Sequence, residues 1–213
     1  MRQFLLTAFA PFDGEPINPS WEMIKSLDGT IIADVALTCV CLPVVFGDSV
    51  QELERQIQKT APAGVISFGQ AGGRTSITPE CIAINLDDAR IADNAGNRPC
   101  GKRIIAHAPD GYFSTLPIKT ITQNLQHANI PCQLSYTAGT FVCNHLFFGL
   151  QHLAKRYHIT QSGFIHIPYL PSQATHNNAA SMSLDTLQNA AKLIVQTVAT
   201  TREDIAIIGG QTH

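Results

Sequence analysis

Charge is scarce in this chain. Asp, Glu, Lys and Arg together make up 14% of its 213 residues, and the net charge is −2. Lys and Arg never run more than two together, so the basic stripe of a nucleic-acid binder is missing and no nucleic-acid partner is expected. No apolar run approaches the roughly 20 residues that span a bilayer. The start, Met1-Arg2-Gln3-Phe4-Leu5-Leu6, runs directly into Pro11 and Gly14. It lacks the apolar core and small-residue cleavage site of a secretory leader, so the expected location is the cytoplasm, with no membrane partner. Neither Cys-x-x-Cys nor His-x-x-x-His occurs, which removes the usual spacings of a structural zinc site. Internal repeats, low-complexity tracts and linkers are also missing. With roughly 100–200 residues per domain, residues 1–213 read as a single domain. A chain of this length buries roughly 70% of its unfolded surface and needs no staples. The low charge density suggests that other subunits cover part of the surface.

The six cysteines are at 39, 41, 81, 100, 132 and 143. In a chain of this size without a leader they are expected as reduced thiols. Cys39 and Cys41 share one face of a predicted strand, and most of the six should be small buried hydrophobes. At most one is expected to be chemically special.

Strand patterns cover Gln3–Ala8, Asp34–Leu42, Gly64–Phe68, Cys81–Leu86, Cys132–Tyr136 and Phe164–Ile167. Helical spacing covers Phe46–Lys59, Leu116–Ala128, Phe141–Tyr157 and Ser183–Ala199, and Asn18-Pro19-Ser20 reads as a helix start. Strands alternating with helices predict an α/β fold with a mostly parallel central sheet and helices on both faces. In such sheets the working residues lie at the carboxyl ends of the strands.

Cys143 falls in the first turn of a predicted helix, after a strand and the small-residue turn Thr137-Ala-Gly-Thr140. Free backbone N–H groups and the helix dipole there favour a thiolate and could hold an oxyanion. A buried helix cysteine is the plainer alternative. Among the eight histidines, His145 follows Cys143 by two and would point elsewhere on a helix. His152 and His158 lie further along it, and His127 ends another helix. His166 stands out in the apolar strand Gly163-Phe-Ile-His-Ile-Pro168, beside the carboxyl end where Pro168 stops pairing. It is either a core histidine or a catalytic base. A base needs an orienting carboxylate, and Glu80, Asp87 and Asp88 compete for that place without spacing deciding among them. Phe9 and Phe12 are either core or a sandwich for a flat, uncharged ring.

These stretches together resemble the pyroglutamyl peptidase I family. The resemblance rests on Thr7-Ala-Phe-Ala-Pro-Phe-Asp-Gly14 with Ile17-Asn18-Pro19, and on Gly69-Gln-Ala-Gly-Gly-Arg74 through Ile77-Thr-Pro-Glu80 and Ile84-Asn85 to Asp93-Asn94. Tyr112-Phe-Ser-Thr-Leu-Pro117, Ala138-Gly-Thr-Phe-Val-Cys-Asn144 and Gly163-Phe-Ile-His-Ile-Pro168 complete it. It implies a three-layer α/β/α sandwich and a cysteine exopeptidase that cleaves after an N-terminal pyroglutamyl residue through a thioester. It further implies a Cys143-His166-Glu80 triad and a ring pocket of Phe9, Phe12 and Phe141. Asn18 and Gln70 would lie near the pocket and Arg90 near the catalytic centre. Implied too are a homotetramer and pyroglutamylated peptides as substrates, with no metal and no organic cofactor. The family usually has Gly where this chain has Ala8 and Asp13, beside the ring-binding loop. Other readings are a hydrolase for another small cyclic amide and a non-catalytic ring-binding or thiol-sensing module. The tail after Thr200 carries no functional signal in the sequence.

Overall fold

Strand β1 (Arg2–Phe9) has Phe4, Leu5, Leu6, Thr7 and Ala8 all without exposed surface. A strand sealed on both faces belongs in the middle of a parallel sheet covered by helices on each side. The computed structural model, which describes residues 1–177 and 179–210, has this arrangement. After β1 come α1 (Pro19–Ile24), a 3₁₀ turn (Lys25–Leu27), β2 (Ile31–Ile32), β3 (Val35–Leu42), α2 (Asp48–Thr60) and β4 (Gly64–Gln70). Then follow β5 (Thr78–Pro79), β6 (Ile82–Ile84), β7 (Gly111–Phe113), α3 (Ile118–His127), α4 (Val142–Arg156), β8 (Gln161–Ile167), α5 (Pro171–Asn177) and α6 (Leu184–Thr200).

The main sheet is six-stranded in the order β2-β3-β1-β4-β8-β5. Its inner pairs β3·β1, β1·β4 and β4·β8 are parallel, and the short edges β2 and β5 are antiparallel. Alternate residues of β1 feed two cores. Phe4, Leu6 and Ala8 pack with Met23 and Ile24 of α1, Ile121 and Leu125 of α3, and Leu187, Ile194 and Val198 of α6. Leu5 and Phe9 face the opposite way, against Leu53 and Ile57 of α2 and Leu146, Phe147 and Leu150 of α4. The result is the expected three-layer α/β/α sandwich.

Local chemistry explains the element ends. Asn18 caps α1 by accepting from Ser20 N (3.1 Å), with Pro19 as the first helical residue. Helix α3 begins at Ile118 rather than Leu116, and the tail reaches back to cap it. Asp204 accepts from Lys119 N (3.0 Å) and Thr120 N (2.9 Å). The tail that looked featureless in the sequence therefore has a structural role.

Two predicted strands change. The expected strand Cys132–Tyr136 is reduced to isolated bridges, Ile77↔Cys132 and Glu80↔Ser135. Its neighbour contains Pro79, which accepts from Ser135 N (3.0 Å) but has no N–H to continue a ladder. The expected strand Cys81–Leu86 shortens to β6, because Leu86 N turns back onto Ile84 O (2.9 Å).

Candidate active site

The carboxyl ends of β4 and β8 lie side by side, with Gly69 opposite His166 in the register. His166 is buried, and its ring meets Phe164 edge-on at a centroid distance of 4.9 Å. Its Nδ1 stands 2.6 Å from Oε1 of Glu80, a residue with no exposed surface. The backbone holds that contact in place. Thr78 and Pro79 pair antiparallel with His166 and Ile165, and Glu80 N donates to Phe164 O (2.9 Å).

The competing carboxylates sit elsewhere. Asp87 Oδ2 takes Nδ1 of His145 at 2.9 Å, while His145 Nε2 accepts from Gly47 N at 2.9 Å. Those two bonds fix His145 as the neutral Nδ1–H tautomer, turned away from Cys143 as its helix position predicted. Asp88 is exposed and accepts only weakly from Gly101 N, at 3.3 Å.

Cys143 is the second residue of α4. The helix is entered through Phe141, whose side chain caps nothing, so the first-turn N–H groups are left without a side-chain acceptor. The sulfur packs directly on β4: a β-carbon built on Gly69 would lie 3.0 Å from Sγ. With Nδ1 committed to Glu80, the imidazole has Nε2 left to serve a thiol. Among the described residues no hydrogen bond yet joins Sγ to the ring, a looseness common before substrate binds.

Two influences oppose the lowered pKa expected from the helix terminus. Burial pushes the Cys143 thiol up to about 12; the negative charge of Glu80 pushes the same way, and Arg74 opposes it. Desolvation disfavours the thiolate because it is the charged form. His166 is held below its ordinary value chiefly by burial, with the Glu80 hydrogen bond and charge opposing and Arg74 reinforcing.

In front of Cys143 lies a cavity of about 380 Å³. Phe9, Phe12, Asn18, Gln70, Arg90 and Phe141 all line it together with Cys143, while His166 and Glu80 do not line it. Phe141 is the centre of the aromatic wall, 5.3 Å from Phe12 and 5.3 Å from Phe46, the latter edge-on at 90°. Phe9 is almost wholly buried and also packs against Phe164 at 6.3 Å. The Asn18 amide serves the α1 cap and donates to Ala10 O (3.0 Å), so it also shapes the loop.

Glu15, Val44, Ile91 and Tyr169 line the cavity without having been foreseen. For Tyr169 a signal was present. Its hydroxyl would lie 2.2 Å from a β-carbon on Gly72, so the glycine run after β4 makes room for this ring. Among the described residues no group of three or more His, Cys, Asp or Glu is placed to hold a metal ion.

The family model for pyroglutamyl peptidase matches residues 2–211. The chain belongs to the pyroglutamyl peptidase family. It is 48% identical to pyrrolidone-carboxylate peptidase 1 of Ralstonia nicotianae, over the full length of both proteins. It is 49% identical to the pyrrolidone-carboxylate peptidase of Bacillus thuringiensis, again over both full lengths. Among solved structures, pyroglutamyl peptidase I of Bacillus amyloliquefaciens superposes with a TM-score of 0.95 at 45% identity, covering 97% of this chain and 99% of that one. The pyrrolidone carboxyl peptidase of Pyrococcus furiosus gives 0.90 at 38% identity, covering 92% and 97%.

The departure at Asp13 has a backbone reading. Asp13 sits in the left-handed region at φ 57, next to Gly14 at φ 76. Glycine adopts that conformation freely, and Asp is among the side-chain-bearing residues that tolerate it best. In this pyroglutamyl peptidase family member, Asp13 thus holds a left-handed position and adds a carboxylate to the cavity lining. Ala8 has no exposed surface and fits within the core of β1.

Proposed function

We propose that the chain is a cysteine exopeptidase that hydrolyses the amide bond following an N-terminal pyroglutamyl residue. The lactam ring enters between Phe9, Phe12 and Phe141, with Gln70 and Asn18 at its edge. A pyroglutamyl end carries no charge, so an apolar wall costs little desolvation. His166 Nε2 takes the thiol proton of Cys143 as the sulfur bonds to the pyroglutamyl carbonyl carbon. The uncapped N–H groups at the start of α4, with Arg90 at the cavity, hold the oxyanion, each donor contributing about 3 kcal/mol. As the C–N bond breaks, protonated His166 gives its proton to the leaving amine. Water activated by the same imidazole then hydrolyses the thioester. Glu80 orients the ring and supports its charged form.

The observation that carries this reading is the 2.6 Å contact between His166 and Glu80, with the Cys143 sulfur against the register partner of that histidine. The test is release of a fluorogenic amine from its pyroglutamyl amide, with and without a thiol-alkylating agent. Cys143→Ala is expected to abolish release while the protein stays folded, and hydrolysis by that variant would refute the assignment.

The proposed setting is the cytoplasm, as a homotetramer. In support, all six cysteines are free thiols. Phe113, Tyr136 and Ile208, at 73%, 46% and 99% exposure, leave apolar surface for another subunit. No helix among the described residues is long and apolar enough to cross a membrane.

A further inference from the structure

The buried carboxylate of Glu80 receives both its donors on one oxygen. His166 Nδ1 and Arg74 Nη1 each stand 2.6 Å from Oε1, while Oε2 is buried and unbonded among the described residues. Arg74 reaches in from the glycine-rich turn after β4, its side chain 26% exposed against none for Glu80. Its remaining bonds are selective. Nη1 also donates to the Thr78 hydroxyl, and Nη2 donates to Thr137 O at 3.0 Å. Thr78 is the register partner of His166, and Thr137 lies in the loop that leads into α4 and Cys143. One guanidinium therefore ties together the segments that carry the carboxylate, the imidazole and the thiol.

An ionised carboxylate removed from water costs several kcal/mol unless a charge compensates it. A neutral imidazole supplies a hydrogen bond but no charge, whereas a guanidinium supplies both and stays protonated. Resting on the roles proposed above for Cys143, His166 and Glu80, we infer that Arg74 is a positioning residue for the hydrolysis. It holds Glu80 aimed at His166, and it offsets the carboxylate's field at Cys143 so that the thiolate can form.

The charged groups around the pair are few. Glu80 and Arg74 act on both the thiol and the imidazole from behind. Arg90, Asp13 and Glu15 face Cys143 across the cavity. Glu80 raises the thiol's pKa and Arg74 lowers it; Arg74 also disfavours the imidazolium. Both effects of the guanidinium favour a thiolate beside a neutral ring. A tie that acted only as a brace would do neither.

The experiment compares Arg74→Met, Arg74→Lys, Glu80→Gln and Cys143→Ala with the parent chain. The readouts are the pH profile of kcat/KM on a pyroglutamyl amide, the iodoacetamide labelling rate of Cys143, and thermal unfolding. Arg74→Met is expected to lower kcat/KM by about tenfold or more. Its acid limb should move to higher pH, and Cys143 should label more slowly at a fixed pH near neutrality. Arg74→Lys keeps the charge without the fork, so it should restore the limb and the labelling rate more fully than kcat. If Arg74→Met keeps the parent's acid limb and labelling rate, whatever its melting temperature, the positioning role is overturned while an inert Cys143→Ala leaves the underlying roles standing. If Cys143→Ala still hydrolyses the amide, those roles fall and this inference falls with them.

Discussion

The Cys143 sulfur occupies the space that a side chain on Gly69 would need. A β-carbon there would lie 3.0 Å from Sγ and 2.6 Å from the Phe164 ring. Gly69 is the residue opposite His166 on the neighbouring strand. Glycine is therefore required at this position by close approach, since its backbone φ is not of the left-handed kind.

Gly69→Ala is accordingly expected to push Sγ and the Phe164 ring apart. Overpacking of this kind costs about 1–3 kcal/mol. A misplaced nucleophile loses activity steeply, about a hundredfold for a displacement near 1 Å. Thermal melts and kcat/KM measured on the same preparation check both effects. A variant with parental kcat/KM would mean that the sulfur's resting position is unimportant.

The acid limb of kcat/KM should have its midpoint below the ordinary imidazole value of 6.5, because burial holds His166 down. The base works only when deprotonated, so activity is present above that midpoint and is lost as pH falls through it. Glu80 opposes the burial effect, so Glu80→Gln should carry the limb to still lower pH. It should also cut kcat by about a hundredfold as the ring loses its brace. A limb that moves upward in that variant would contradict this account of the pair.

Asp93 should make the loop after β6 acid-sensitive. Burial alone would raise its carboxyl, but bonds from the Asn97 side chain (3.0 Å) and from the N–H groups of Phe46 (2.9 Å), Asn97 (2.8 Å) and Ala95 (2.9 Å) hold it below its ordinary value. A depressed folded-state value contributes stability above the unfolded value of about 3.9, and that stability is lost as pH falls through the folded value. Asp93→Asn should therefore cost about 2 kcal/mol near pH 7. The gap from the parent should close as pH falls through the depressed folded-state value, as read from urea unfolding at each pH. A gap independent of pH would remove the charge from the explanation.

Much of this architecture was legible in the sequence for local reasons. The apolar runs of β1, β3 and β4, the Asn18 cap and the helical spacing of α2, α4 and α6 are all set by near neighbours. Cys143 and His166 stood out because a helix start and a strand tip are recognisable in one dimension. The choice of Glu80 was not legible from spacing, because the antiparallel pairing of β5 with β8 makes it, and β5 contains only Thr78 and Pro79. Asp87 looked equally eligible, and only the fold gives it to His145. The helix start can be read from the sequence, whereas the packing of the Cys143 sulfur against Gly69 cannot. Cys132–Tyr136 has strand composition, but Pro79 opposite it breaks the ladder.

Strands β4 and β8 are sheet neighbours, yet the whole stretch from β5 through α4 lies between them in the chain. That excursion carries Glu80 and Cys143, and only the returning strand brings His166. A loop of such length closes late during renaturation, since distant contacts form after local ones. Catalytic competence should thus return with the slowest refolding phase, after most helical signal has recovered. A chain still emerging from the ribosome would be inert toward neighbouring peptides until β8 has seated.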